Sequence, residues 1–201
     1  MSGFKKPPPL EIKCTSTDCA NDLHCFKGHK RMAAEARGKC RACGADLVDW
    51  ARVHRRDSKD AAYTFEVLQH ELIRHHHFHK RIDDDAMRHA RRKGRVQLRE
   101  AVRVRLERYL APAAPVRDGF QTPFEGNTIY YAQHATACCC RTCLEYWHNI
   151  PKGRSLTEAE FEYCATLIDL YLRKRLPDLK DESENVPRRC RIPLARGEAA
   201  E

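Results

Sequence analysis

The alternation of apolar and polar positions along the chain predicts mostly helices. Between residues 59 and 80, Ala61, Phe65, Leu68 and Leu72 recur at intervals of three and four. This is the spacing of one face of an α-helix. The segment is therefore predicted to form a helix, and it ends in the histidine-rich sequence HHHFH.

Two more helices are predicted on either side of Gly94. The three aspartates at 83–85 suit a helix N-terminus, because they can cap it and complement its dipole. Gly94 is a typical C-terminal stop for that helix. The next helix is predicted from about Val96 to Leu110, and its apolar stripe consists of Leu98, Val102, Leu106 and Tyr109.

The C-terminal half adds a short strand and two further helices. TIYYA at 128–132 is predicted to be the strand, and a helix is predicted from Arg141 to Asn149. The last helix begins at Ser155 or Thr157, since each is followed three residues later by a glutamate, as in a capping box. The predicted fold is mainly α, with two Cys/His-rich zinc nodules and little β, although a small α+β character remains an alternative.

This pattern divides the 201 residues into five segments. They are a disordered arm at 1–12, a zinc-ribbon or knuckle-like module at 13–57, a basic helical region at 58–112, a Cys/His metal-binding helical module at 128–177 and a flexible tail at 178–201. A chain of this length can form one sizeable core or two small lobes.

Charge and hydropathy narrow the range of partners. The chain carries 37 Lys and Arg against 28 Asp and Glu, a net charge of +9 that favours polyanions such as nucleic acid. It has no apolar run long enough to span a membrane, so no membrane partner is expected. The first ten residues lack the apolar core of a secretory signal, which predicts a cytoplasmic protein.

The cysteines are predicted to bind metal ions. Eleven cysteines cluster with histidines, and an odd number without an export signal favours metal ligation over disulfides. In the first group, the pairs Cys14 with Cys19 and Cys40 with Cys43 could hold a structural zinc ion between them. His24, Cys25 or His29 could replace a member of the earlier pair.

The second group lies in HATACCCRTCLEYWH at 134–148. A four-ligand site is predicted there, formed by His134, Cys140, Cys143 and His148. Cys138 or Cys139 could displace one of these four, and Cys139 is therefore included among the candidate ligands. Two zinc ions per chain are therefore expected. An iron–sulfur cluster, an activated thiolate and cysteines packed in a core remain alternatives.

The same region resembles a known family. YAQHATACCCRTCLEYWHNIPKGRSLTEAEFEY is similar to the bacterial and phage domain-of-unknown-function family 4186, over roughly residues 128–175. The matching positions are His134, Cys139, Cys140, Cys143, Trp147, His148, Ile150, Gly153 and Leu156. The resemblance implies a shared metal-supported site and no particular reaction or substrate.

The HHHFH sequence at 75–79 has two interpretations. His75 and His79 lie one helical turn apart and could chelate a metal ion, with His54, His70 or a nearby acid such as Glu71 or Asp84 as further ligands. Alternatively the histidines form a solvated helix end, where they suit the negative pole of the helix dipole.

A run of cations in the middle of the chain predicts contact with nucleic acid, since lysine and arginine bind phosphate. The predicted contact residues are Arg91, Arg92, Lys93, Arg95, Arg99 and Arg103. The leading hypothesis is a zinc-stabilised, basic, nucleic-acid-binding protein associated with DNA in a bacterium or phage. The alternatives are a metal-dependent enzyme acting on nucleic acid, such as a nuclease or glycosylase, and a zinc-nodule adaptor for a protein partner.

Overall fold

The mainly α-helical architecture is confirmed. The computed structural model describes residues 12–29, 31–116 and 119–187. In these residues seven α-helices carry the fold: α1 Trp50–Val53, α2 Ala61–Val67, α3 Leu72–His79, α4 Asp84–Tyr109, α5 Thr128–Ala135, α6 Arg141–His148 and α7 Glu158–Arg175. β structure in the described residues amounts to two isolated bridges, Asp18 with Leu23 and His24 with Glu71.

One hydrophobic core joins α2, α4, α5 and α7. The stripe predicted for α4 is buried at Leu98, Val102 and Leu106, and the apolar face of α7 meets it. Residues of the predicted regions 58–112 and 128–177 therefore share this core. None of the helices in the described residues combines the length and apolar character that crossing a lipid bilayer requires.

The helix predicted over residues 59–80 is divided at Glu71. After α2 and a 3-10 turn at Leu68–His70, Glu71 adopts an extended conformation and α3 then begins. His24 occupies the break, since its N–H donates to the carbonyl of His70 and its carbonyl accepts from the N–H of Leu72. Periodicity missed the break because the apolar positions on both sides keep the same spacing.

The strand predicted at 128–132 is wrong, because these residues form the first part of α5. The side chain of Asn127 accepts a hydrogen bond from the N–H of Ile129, which caps the helix N-terminus. All residues of α5 except Tyr130 are buried. A helix buried on nearly every side shows no polar face, so its sequence lacks helical periodicity.

Gly94 interrupts α4 as predicted, with φ 65° and ψ 172°. The helix resumes at once, and the N–H groups of Arg95 and Val96 donate to the carbonyls of Lys180 and Asp181. The described part of the predicted tail, 178–187, therefore lies against α4. The rest of that tail, and the predicted arm except for Ile12, fall outside the described residues.

The N-terminal segment packs on α6 through a second, aromatic core. Phe26 lies edge-on to both Trp50 and Trp147, with ring centroids 6.1 and 6.0 Å away, and the two tryptophan rings are 5.1 Å apart. Cys40 is buried in this core, and Cys19 and Cys143 pack against it. The two cysteine-rich regions therefore contribute to one cluster of side chains.

Candidate metal centres

The first cysteine-rich region brings four candidate metal ligands together. The ligand atoms of Cys19, His24, Cys40 and Cys43 all lie within 4.8 Å of one another. The Sγ atoms of Cys19 and Cys40 are 3.8 Å apart, and the Sγ of Cys43 lies 3.4 Å from Nδ1 of His24. Three thiols and one imidazole form a donor set that suits a soft or borderline metal ion.

A tight turn presents Cys40 and Cys43 to this group. The N–H of Gly44 donates to the carbonyl of Cys40, and the N–H of Cys40 donates to the carbonyl of Ala45. Gly44 has φ 78°, a left-handed conformation that suits glycine. The two-residue spacing between the cysteines thus places both sulfur atoms on the same side of the turn.

The carboxylate of Asp22 orients His24. It lies 2.9 Å from Nε2 of His24, and its other oxygen lies 2.9 Å from Nδ1 of His70. A hydrogen bond at Nε2 leaves Nδ1 of His24 to face the thiols. A carboxylate behind a histidine is a common support for a metal-binding imidazole, because it fixes the ring and raises its basicity.

Cys14, a predicted ligand, lies outside this group. Its carbonyl accepts a hydrogen bond from the thiol of Cys25 at 3.3 Å. Cys14 instead lines a cavity of about 250 Å³, together with His77, Phe124 and His134. His24, one of the alternatives considered from the sequence, takes the position that Cys14 was expected to fill.

The thiols of the first group differ in acidity. Burial disfavours the Cys40 thiolate, but hydrogen bonds from the backbone of Cys25, Cys43 and Ala42 outweigh it and lower the pKa of Cys40 to about 6. Desolvation and the neighbouring thiols of Cys43 and Cys40 raise the pKa of Cys19 to about 11. Neighbouring thiolates repel one another, and a metal ion among them removes this obstacle to ionisation.

The second cysteine-rich region brings three thiols together at the start of α6. The Sγ atoms of Cys139, Cys140 and Cys143 lie within 4.8 Å of one another. Cys140 is the N-cap residue of α6, and its carbonyl accepts from the N–H groups of Cys143 and Leu144. Cys139 is buried, whereas Cys140 and Cys143 are partly exposed.

A buried arginine accompanies these thiols. Nη2 of Arg74 donates to Sγ of Cys143 at 3.3 Å, and Nη1 lies 3.9 Å from Sγ of Cys139. Hydrogen bonds from the thiols of Cys139 and Cys140, together with the Arg74 guanidinium, hold the pKa of Cys143 well below its usual value. The cation thus stabilises a thiolate inside the protein.

Glu71 pairs with Arg74 and connects the two regions. One carboxylate oxygen accepts from Nε of Arg74 at 3.1 Å and from Nε1 of Trp147 at 2.6 Å, and the other accepts from the hydroxyl of Tyr146 at 2.7 Å. A buried carboxylate requires such compensation. The break between α2 and α3 is what brings Glu71 to α6.

The histidines predicted for the second group face elsewhere. Nε2 of His134 bonds the carbonyl of Thr122 at 2.9 Å, and burial lowers the pKa of His134 to about 4. Nε2 of His148 bonds the carbonyl of Thr136 at 3.1 Å, and Nδ1 bonds the hydroxyl of Tyr163. Neither ring joins the three thiols. Cys138, which could have displaced a ligand, directs its thiol to the carbonyl of Thr136.

The histidine-rich end of α3 does not assemble a third group within the described residues. The rings of His75 and His79 lie 4.0 Å apart, and Nδ1 of His79 bonds the carbonyl of His75. His77 is buried and stacks on His134 and Phe124. Burial and the nearby charges lower the pKa of His77 to about 2, so it is neutral.

Several cations of the predicted nucleic-acid contact set are engaged within the protein. Arg99 pairs with Asp169 and Arg103 pairs with Glu162, at 2.9 and 2.6 Å. Arg95 donates to the carbonyls of the α7 C-terminus and the segment after it, at Leu176, Pro177 and Leu179. By contrast, Arg91, Arg92 and Lys93 form no ion pair within the described residues, and both arginines are exposed.

Sequence reasoning missed the groups that support the thiols and the imidazole. Arg74 is 65 and 69 residues away from Cys139 and Cys143, and nothing in its local sequence marks it as a neighbour of thiols. Asp22 lies two residues before His24, a spacing that could have indicated its supporting role. The role of Arg74 becomes apparent only when α3 packs on α6.

The fold and these two groups define a helical protein with two clusters that could hold metal ions. The family model described as "Domain of unknown function (DUF4186)" matches residues 62–173, more than half of the chain, so the chain belongs to this family. The match includes α4, which was expected to lie outside it, and excludes the first cysteine group. No solved structure matches this chain.

Proposed function

We propose that this protein is a zinc-stabilised nucleic-acid-binding protein. The first group supplies a structural zinc site, and a basic, aromatic groove beside α4 supplies the binding surface. The groove is the observation that carries the functional part of the proposal.

The dimensions of the first group support zinc. With Zn–S bonds of about 2.3 Å, two sulfur ligands of a tetrahedral ion lie about 3.8 Å apart. The observed separation between the Sγ atoms of Cys19 and Cys40 is 3.8 Å. With a Zn–N bond of about 2.05 Å, a sulfur and a nitrogen ligand lie about 3.5 Å apart. The Cys43 Sγ to His24 Nδ1 distance is 3.4 Å.

Four protein donors leave no coordination position for a substrate, so the role of this ion is structural. Between Cys14 and Asp49, the residues that the structure describes form two 3-10 turns and no α-helix. A metal ion held by Cys19, His24, Cys40 and Cys43 would link the two cysteine-containing parts of this segment and add to its packing on Trp147 through Phe26 and Trp50. Free thiols of this kind persist in a reducing compartment, which supports a cytoplasmic location.

The groove has the composition of a nucleic-acid-binding surface. It has a volume of about 470 Å³ and is lined by three cations, Lys93, Arg105 and Arg108, and one acid, Glu100. Lys93 and Arg108 form no ion pair within the described part of the chain. Cations that are not neutralised in the folded protein are the ones able to contact phosphate.

Aromatic and apolar side chains accompany these cations. The guanidinium of Arg105 lies 4.9 Å from the ring centroid of Tyr109 and 4.3 Å from that of Tyr130. Val104 lines the same groove and is 53% exposed. Stacking platforms interleaved with cations are typical of proteins that bind single-stranded nucleic acid. A single-stranded segment therefore fits this groove best.

The test is a fluorescence-anisotropy titration of the full chain with labelled single-stranded and duplex oligonucleotides, DNA and RNA, across a range of salt concentrations. We expect binding that weakens as salt rises, with single strands bound more tightly than duplexes. Removing two phosphate contacts with Lys93→Ala/Arg108→Ala should reduce the slope of log affinity against log salt by about 1.4 for a single strand.

The matched control is Arg99→Ala/Arg103→Ala, which removes the same charge from the same helix. These arginines are paired with Asp169 and Glu162, so the control should change affinity much less. An absence of binding at low salt, or an affinity that does not change with salt concentration, would contradict nucleic-acid binding. An equal loss in both double variants would contradict the location in the groove.

A further inference from the structure

The second thiol group differs from the first in the number of its donors. Three sulfur atoms, those of Cys139, Cys140 and Cys143, lie together, and no fourth His, Cys, Asp or Glu donor joins them in the described residues. The two histidines nearest in sequence, His134 and His148, bond backbone carbonyls through their Nε2 atoms. A metal ion held here would have three protein ligands and one coordination position left over.

Arg74 offsets part of the charge of such a site. Three thiolates around a divalent ion carry a net charge of −1, and the guanidinium that faces them also pairs with Glu71. Arg74 donates to Cys143 and approaches Cys139, and it is fully buried among Glu71 and these thiols. The arginine therefore covers the side of the group formed by these two cysteines.

A cavity of about 90 Å³ lies beside the group, and Cys139 and Cys140 are among its lining residues. The cavity walls include Arg105, Tyr109 and Tyr130. The Arg105 guanidinium lies over the rings of both tyrosines. Such a cavity has room for several water molecules or a small ligand. The Arg105 guanidinium also donates to Gln133 and Thr122, and its positive charge favours a ligand with negative charge in this cavity.

From this geometry we propose that Cys139, Cys140 and Cys143 hold a soft metal ion whose fourth coordination position opens into this cavity and binds a small anionic ligand from solution. Three protein ligands plus an exchangeable position distinguish ligand-binding and catalytic zinc sites from structural ones. The proposal does not depend on nucleic-acid binding, because the anion is recognised by the metal ion and the cavity.

The test uses the full chain loaded with Co²⁺, whose visible d–d absorption bands report its coordination, and azide as the probe anion. We expect two ions per chain and a saturable change in the d–d bands when azide is added. Cys43→Ser removes a ligand of the first group and should keep the azide response. Cys143→Ser should bind one ion fewer and lose the response. Cys14→Ser, a control outside both groups, should match the wild type.

Three results would overturn the proposal. The first is a wild-type protein that binds two ions but whose spectrum azide leaves unchanged, since this indicates a closed site. The second is an azide response that Cys43→Ser abolishes and Cys143→Ser retains. The third is a disulfide among Cys139, Cys140 and Cys143, detected by mass spectrometry of the wild-type protein purified under reducing conditions. The first and third results are obtained with the wild-type protein, so they test the proposal even if Cys143→Ser fails to fold.

Discussion

At the residue scale, Gly94 determines how the C-terminal segment meets α4. Its φ of 65° breaks the helix, and the next two N–H groups are then paired by Lys180 and Asp181 instead of by helix carbonyls. A Cβ at this position would lie 2.4 Å from the backbone of Glu182. Gly94 therefore satisfies two constraints, a left-handed conformation and a close approach of two backbones.

We predict that Gly94→Ala lowers the free energy of unfolding by about 3 kcal/mol or more, because left-handed strain of about 1–2 kcal/mol adds to a clash with the backbone. Gly153→Ala is the matched control. It has φ 78° but nothing within 4 Å of its added Cβ, so only the strain should appear. Urea denaturation measures the loss of stability in each of the two variants. Equal losses would show that the close approach to Glu182 contributes nothing.

Residue-scale chemistry could be predicted from the sequence only where the signal was local. The two-residue spacing of Cys40 and Cys43, followed by a glycine, identified the turn that the structure contains. The association of Cys139, Cys140 and Cys143 with Arg74 has no local signal, since it requires α3 to pack on α6. For the same reason, Cys14 could not be distinguished from His24 as a neighbour of Cys40.

At the scale of elements, the N-terminus of α7 combines a capping box with a half-buried ion pair. Thr157 and Glu160 bond each other's backbone N–H groups, so the capping box begins at Thr157, one of the two starts predicted from the sequence. Glu160 also accepts two hydrogen bonds from Arg154, at 2.6 and 2.7 Å. These interactions with Arg154 outweigh burial and lower the pKa of Glu160 to about 2.

We predict that Glu160→Gln lowers the free energy of unfolding by about 1–2 kcal/mol at pH 7, a value reduced by the partial exposure of Arg154. The folded-state pKa lies below the unfolded one, so the contribution is full above about pH 4.5 and disappears as the pH falls towards 2. Denaturation of both proteins between pH 2 and pH 7 measures this difference. Glu158→Gln, whose side chain is 83% exposed, should change stability by less than about 0.5 kcal/mol. A difference between Glu160→Gln and wild type that is constant with pH would contradict the assignment.

The elements that sequence reasoning predicted well are those with one exposed face. In α7, and in α4 beyond Gly94, polar residues alternate with buried apolar ones at helical spacing, and both were predicted. α5 is enclosed by other elements and was mistaken for a strand. The break at Glu71 depends on pairing with His24, which lies 47 residues earlier in the chain. A local sequence pattern cannot predict such a contact.

At the scale of the whole molecule, the Glu71–Arg74 pair lies between the two thiol groups. Glu71 forms a bridge with the backbone of His24, a member of the first group, while Arg74 contacts the second group. The family match covers the second group and Arg74, but the first group precedes it. The N-terminal segment, which lies outside the matched residues, packs on the matched region through Phe26, Trp50 and Trp147.

The measurement that most directly tests this account is elemental analysis of the purified, desalted full chain, combined with thermal unfolding before and after a chelator. The account predicts two metal ions per chain, one fewer in Cys43→Ser and in Cys143→Ser, and a clearly lower Tm once the ions are removed. A chain that contains no metal, and whose Tm is the same with and without the chelator, would contradict it.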